Sequence, residues 1–197
     1  MNTDSIKIKF MEVSEIEESA KILSIAMLNN SLHLAVLKGN EEKQRLKIES
    51  MFINLFHTNP GITYIAKEGQ MIVGVMRMKS CNGSISKQKE SDNSEENDID
   101  HRIRILHQKW AENDPKEQHW HLGPLGVIPT HQGKGIGSMF MTIFCNEVDK
   151  CSAKSFLETD LDKNVSFYKK FGFKVVSTSN IFGVESRYMT REILIQK

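Results

Sequence analysis

Apolar and polar residues alternate from Ile6 to Phe10, with Lys7 and Lys9 between the apolar positions, the pattern of a strand with one solvated face. Ser14 followed by Glu17 reads as a capping box, and Ile16, Ala20, Leu23 and Met27 then recur at helical spacing. A second helix is predicted from Glu41 to Phe56, where Ile48, Phe52 and Leu55 share a stripe before Asn59-Pro60-Gly61 stops it. Between these helices, residues 28–40 read as a loop. Ile62 to Ala66 and Met71 to Met78 are β-rich apolar runs joined by Lys67-Glu68-Gly69-Gln70, a hairpin pattern.

From Ser86 to Asp98 there is no apolar residue, so that stretch cannot bury enough surface to offset its ordering entropy and reads as part of a mobile polar loop at 80–98. Ile99, Ile103, Leu106 and Trp110 then share a helical face that Asp114-Pro115 ends. His119 to Val127 reads as a strand, yet Pro124 has no N–H to give to a ladder, so the strand either lies at an edge or bulges there. Phe140, Ile143 and Val148 mark a helix and Ser155 to Thr159 a short strand. Val165 to Phe171 reads as a helix closed by Gly172, and Phe173 to Ser177 and Val184 to Ile195 as the last strands. Strands and helices in this order predict an α/β (α+β) sandwich with a mixed sheet, not a doubly wound nucleotide fold.

With 197 residues, 39% of them hydrophobic, the chain can bury one sizeable core, and residues 1–197 are expected to form a single domain. Lys plus Arg number 26 against 25 for Asp plus Glu, so the net charge of +1 supplies no electrostatic drive toward nucleic acid or anionic membrane. No stretch approaches the roughly 20 apolar residues that span a bilayer, and the expected location is cytoplasmic. Cys81, Cys145 and Cys151 form no CxxC pair and read as reduced thiols, none at a site position; no metal site is expected.

The densest chemistry lies between Leu125 and Ser138, where Gly133, Gly135 and Gly137 alternate between a strand and an amphipathic helix. Glycines allow a tight turn and close backbone approach, while the free N–H groups of a helix's first turn favour an anion such as a pyrophosphate. A Walker loop would need Ser or Thr where Gly135 stands, and a dinucleotide fingerprint beginning at Gly133 would need Gly at Ser138.

Gln132-Gly133-Lys134-Gly135-Ile136-Gly137 resembles the Q/R-x-x-G-x-G/A signature of the GNAT superfamily of N-acetyltransferases. His119 to Pro129, Phe156 to Thr159, Asn164 to Phe173 and Tyr188 to Arg191 resemble the branch containing puromycin N-acetyltransferase; the likeness is strong over about residues 117–191 and elsewhere rests on element order. The resemblance implies a GNAT-like, mostly antiparallel central sheet flanked by helices, with acetyl-CoA as cosubstrate. It implies that Leu125, Gly126, Val127, Gln132, Gly133, Lys134, Gly135, Ile136, Gly137, Ser138 and Asn164 bind that cosubstrate. The Val127 N–H would polarise the acetyl carbonyl. A homodimer through the last strands is ordinary for such relatives.

Acetyl transfer from a thioester to an amine needs a neutral amine at attack and a proton for the leaving thiolate. Tyr168 shares a helical face with Asn164 and matches the acid tyrosine of many relatives; a free phenol titrates at about 10. His119 and His121 project from one strand face, with reference pKa about 6.5, and their spacing is similar to a histidine pair of arylalkylamine N-acetyltransferases. Glu158, on the adjacent strand, is the competing base through water. His131 reads as an exposed loop residue, and Trp110 and Trp120 as core. The expected acceptor is a primary amine of a small molecule. A protein α-amino group or lysine is the alternative within enzymes, and a non-catalytic acetyl-CoA-binding module the alternative outside them.

Overall fold

The computed structural model describes residues 6–83 and 97–193. Seven strands form one sheet in the order β1-β2-β3-β4-β5-β7-β6. They are β1 (Ile6–Phe10), β2 (Ile62–Glu68), β3 (Met71–Cys81), β4 (His119–Val127), β5 (Lys154–Thr159), β6 (Lys174–Ile181) and β7 (Val184–Arg191). Every pairing is antiparallel except β4 with β5. Six α-helices accompany them among the described residues: α1 (Ile16–Met27), α2 (Ser31–Leu37), α3 (Glu42–Thr58), α4 (Asp98–Asn113), α5 (Ile136–Lys150) and α6 (Asp162–Lys169). None of the described helices is alone long and apolar enough to cross a membrane.

Both sheet faces are covered, which is why β2 and β3 read as nearly continuous apolar runs. On one face Tyr64 and Ala66 join Phe140, Phe144 and Val148 of α5 and Val165 and Tyr168 of α6. On the other, Ile65, Ile72 and Val75 meet Ile16, Ala20 and Leu23 of α1 and Phe56 of α3. Phe140 and Phe144 are fully buried, and truncating either to Ala should cost about 3–5 kcal/mol.

Several boundaries depart from the sequence reading. Residues 28–40 are not a loop: Asn30 caps α2 by accepting from the Leu32 and His33 N–H groups, and Lys38 in the left-handed region ends it. With only seven residues, α2 shows too little periodicity to stand out; its side chains Leu32, Val36 and Leu37 are buried against Leu106 of α4 and Ile181 of β6. The reciprocal cap before α1 lies two residues earlier than predicted, with Glu15 accepting from the Glu12 N–H at 3.0 Å across the 3₁₀ turn Val13–Glu15. Asn97 and Asp98 belong to α4 as cap and first residue, and β3 runs on to Cys81; the rest of the polar stretch, residues 84–96, lies outside the described residues. β6 extends to Ile181 and β7 ends at Arg191. α6 spans Asp162–Lys169, and the chain leaves it through Gly172 at φ 87°.

Candidate active site

The site opens where β4 and β5 part. Their parallel pairing covers His119 with Lys154, Trp120 with Ser155 and His121 with Phe156, and goes no further. β4 continues to Val127 on β3 alone, and its register shifts between Met76 and Met78, opposite Gly123-Pro124. Because β4 is fourth of seven strands, the proline marks a bulge, not an edge. Arg77, 4% exposed, fills the bulge: its guanidinium donates to the Gly123 carbonyl at 3.0 Å and to the Asn59 carbonyl. Nothing in the spacing of the sequence singled out this arginine.

Beyond the bulge, the Ile128 N–H donates to the Val73 carbonyl at 3.0 Å. Successive strand N–H groups face opposite edges, so that of Val127 points away from β3, toward the side β5 has vacated. The turn that follows is held by Gln132, whose side-chain amide donates to the Val127 carbonyl at 2.9 Å. His131 is buried, not exposed: Thr130 Oγ1 lies 2.9 Å from Nδ1 and Glu68 Oε2 3.1 Å from Nε2. That pair ties the turn to the β2 end.

Gly133 and Gly135 have φ of 76° and 84°, where residues with a Cβ are strained, and open space surrounds both. Gly135 is the N-cap of α5, and the first bond of that helix runs from the Met139 N–H to the Gly135 carbonyl at 3.0 Å. The N–H groups of Ile136, Gly137 and Ser138 therefore precede the intrahelical ladder and present the positive end of a 15-residue helix. Together with half-buried Lys134, these groups form a cradle suited to an anion such as a pyrophosphate. Asn164 is engaged with Thr159, Nδ2 to Oγ1 at 3.2 Å, at the far lip of the splay.

His121 and Glu158 meet across the point of parting, Nε2 to Oε2 at 2.8 Å. Burial opposes charge on His121, but the Glu158 carboxylate and the neighbouring Cys81 sulfur outweigh it and raise the imidazole to about 10. Tyr168 is 8% exposed in the core beneath, and burial, reinforced by the charge of Glu158, pushes its phenol above the usual value. His119 is more enclosed, at 1% exposure. Its Nδ1 donates to the Glu117 carbonyl at 2.9 Å, its Nε2 lies 3.3 Å from Asp114 Oδ1, and Phe156 stands edge-on at 5.7 Å. Although burial lowers it, Asp114, Cys81 and the Glu117 carbonyl raise His119 to about 10 as well.

In front of the pair is a cleft of about 580 Å³ between the end of β3, α4 and β5. His107, Trp110 and Ala111 of α4 form one wall, Phe156 and Glu158 another, and Cys81, Asn82 and Gly83 a third. Trp110 thus serves as a cleft wall as well as packing on the α2/α4 cluster. Cys81 at this position corrects the expectation that no cysteine stands at the site: the thiol is placed there by cross-strand register with His119, which spacing along the chain does not reveal.

A family model described as Acetyltransferase (GNAT) family matches residues 26–173. The chain belongs to this family. It is an acetyl-CoA-dependent N-acetyltransferase, and the likeness reaches well into the N-terminal half, where only element order pointed to it. Among solved structures, arylalkylamine N-acetyltransferase 2 of Aedes aegypti is similar at TM-score 0.72 with 12% identity, covering 98% of this chain and 100% of that one. A histone-acetyltransferase-related protein of Corynebacterium glutamicum gives 0.70 with 15% identity, covering 98% and 99%. An N-acetyltransferase of Thermoplasma acidophilum, solved in complex with coenzyme A, gives 0.60 with 14% identity, covering 95% and 99%. In this GNAT sheet the cradle follows the end of β4, the splay lies beside it, and His121 of β4 reaches the cleft.

Proposed function

We propose that this N-acetyltransferase acetylates a primary amine of a small molecule held in the cleft between α4 and the β3 end. The observation that carries the reading is the His121–Glu158 pair, standing between the glycine cradle and a cleft of a volume typical of small-ligand sites. The strong likeness of residues 117–191 to the puromycin branch, and the arylalkylamine enzymes among the similar structures, favour the same acceptor class.

Acetyl-CoA supplies the activated acetyl group as a thioester. The N–H groups at the start of α5, Lys134 and the turn held by Gln132 bind its phosphates, while the free β4 edge at Leu125, Gly126 and Val127, with Asn164 opposite, aligns the remainder. The Val127 N–H, aimed into the splay, donates to the carbonyl to be attacked. Glu158 takes the proton from the amine, directly or through one water. Since the imidazole stays charged up to about pH 10, His121 is not free to act as base near neutrality; it orients the carboxylate. His119 positions the strand from beneath, with both ring nitrogens near oxygens. Tyr168, kept protonated by burial, delivers a proton to the departing thiolate.

A panel of primary amines assayed for coenzyme A release tests this. Turnover on aryl- or alkylamines that fit the cleft is the expected result. Acetylation of peptide α-amino groups or lysines, with none of any small amine, would overturn it.

A further inference from the structure

Cys81 ends β3 directly opposite His119 in the β3–β4 ladder and lines the cleft, half-buried and within reach of a small molecule. The Cys81 thiol donates to the Lys79 carbonyl at 3.9 Å, and the rings of its cross-strand partner His119 and of His121, opposite Lys79, lie 6.5 Å apart, each edge-on to Phe156. His119 is almost wholly buried, and its Nε2 makes no hydrogen bond among the described residues, facing Asp114 at 3.3 Å without the alignment of one. The other charged or titratable groups turned toward this corner are Arg77 and Lys79 from β3, His107 of α4, Asp114 after it, and Glu158 of β5.

We propose that Cys81 is a modification site at which a low-molecular-weight disulfide forms a mixed disulfide, filling the acceptor end of the cleft and reversibly shutting the enzyme off. Although burial works against the thiolate, the two imidazoles favour it and bring the thiol down to about 6. The Cys81 thiolate attacks one sulfur of the incoming disulfide; a new S–S bond forms, the old one breaks, and the displaced half leaves as a thiolate that takes a proton from solvent. Cys81 is oxidised and the reagent reduced, so no other oxidant is needed. A thiol reductant reverses the step. That a blocked cleft stops turnover rests on the proposed acceptor site; the chemistry at the sulfur does not.

The test uses the full chain carrying Cys151→Ser, which removes the exposed thiol, while Cys145 stays buried. The probe is 2,2′-dithiodipyridine, followed by released thiopyridone and intact mass, with oxidised glutathione in a parallel arm. One equivalent should add at a rate that climbs with pH through a midpoint near 6, and Cys81→Ser in the same background should add none. His119→Gln should slow labelling at pH 6.5 by roughly tenfold, since it withdraws one of the two imidazoles. No addition to the folded protein, or a wild-type midpoint between pH 8 and 9, as for an unassisted thiol, overturns the proposal. Labelled protein that still transfers acetyl at full rate removes the shut-off while leaving the reactive thiol. If labelling proceeds as expected but no small amine is ever acetylated, the acceptor reading fails on its own.

Discussion

His121 Nε2 lies 2.8 Å from Glu158 Oε2, two residues beyond Phe156, the last β5 residue that pairs with β4. The pair joins a strand that must bulge, because of Pro124, to one that continues straight to the α6 entry. It closes the base of the opening that the two strands leave, so the ion pair and that opening are products of one interrupted ladder.

With a weakly basic amine as acceptor, already neutral at pH 7, kcat/KM should be flat between pH 6 and 8, because His121 stays charged throughout that range. A rise with a midpoint near 6.5 would instead mark a free imidazole base. Glu158→Gln should cost about 10²- to 10³-fold, in the range expected of a lost proton acceptor, and His121→Gln less than tenfold.

The same pair predicts a pH dependence of stability. His121 titrates at about 10 in the folded chain and near 6.5 when unfolded, so its stabilising contribution is complete below pH 6.5 and is lost as pH rises toward 10. In Glu158→Gln the remaining influences are burial and Cys81, and the imidazole should fall back toward its ordinary value. Ring-carbon NMR titration of His121 in both proteins checks this; an unchanged high value in the variant would mean that the carboxylate is not its cause.

Tyr168→Phe removes a hydroxyl and leaves the ring packing against Phe167 and Phe173 at 5.3 and 6.2 Å. The fold should be unaffected. Turnover should fall by roughly ten- to a thousandfold with acetyl-CoA affinity almost unchanged, since the proton is needed only as the thiolate departs. Single-turnover rates beside cosubstrate titration separate the two. Equal losses in both would make Tyr168 a binding residue.

Acetyl-CoA at 100 times its Kd should stabilise the protein by about 2.7 kcal/mol, read as a rise in Tm. Gly135→Ala meets open space but places a Cβ at φ 84°, so it should cost about 1–2 kcal/mol in the free protein while retaining part of that rise. Gly135→Val should abolish the rise, because a branched side chain crowds the approach of phosphate to the first turn of α5. A full ligand-induced shift in the valine protein would place the phosphates elsewhere.

The glycine turn and Pro124 were legible because each acts through local backbone chemistry: left-handed φ at Gly133 and Gly135, and an absent N–H that prevents regular pairing. Tyr168 was picked out by likeness to a family and by the helical face it shares with Asn164, and Glu158 by its place on the strand next to the histidine pair, since nothing more local distinguishes a helix tyrosine or a strand glutamate. Cys81 and Arg77 were not legible at all. Their roles depend on the shifted register between β3 and β4, which puts Cys81 opposite His119 and Arg77 against Gly123, a long-range relation that hydrophobic period does not encode. His131 was misjudged for the same reason, its partner Glu68 lying 63 residues earlier.

The short helix α2 offers a way to change acceptor binding without touching the chemistry. Asn30 caps it, accepting from the Leu32 N–H at 2.9 Å and the His33 N–H at 3.2 Å, and its amide donates to Asp160 Oδ1 at 2.7 Å. Asp160 follows β5 directly and also accepts from the Leu32 N–H at 2.9 Å, so one carboxylate fastens α2 to the end of the strand that carries Glu158. Buried Leu32, Val36 and Leu37 then brace Leu106 of α4, whose Trp110 and Ala111 wall the cleft. Asn30→Ala loses both the cap and the tether and should destabilise the protein by about 1–2 kcal/mol, with Asn30→Asp retaining the cap but not the donor to Asp160. Because the displaced element supports the cleft and not the ion pair, KM for the acceptor should rise severalfold in Asn30→Ala while kcat and acetyl-CoA affinity stay within about twofold. A fall in kcat at constant acceptor KM would show that α2 acts through Asp160 on Glu158, and that the cleft wall does not depend on it.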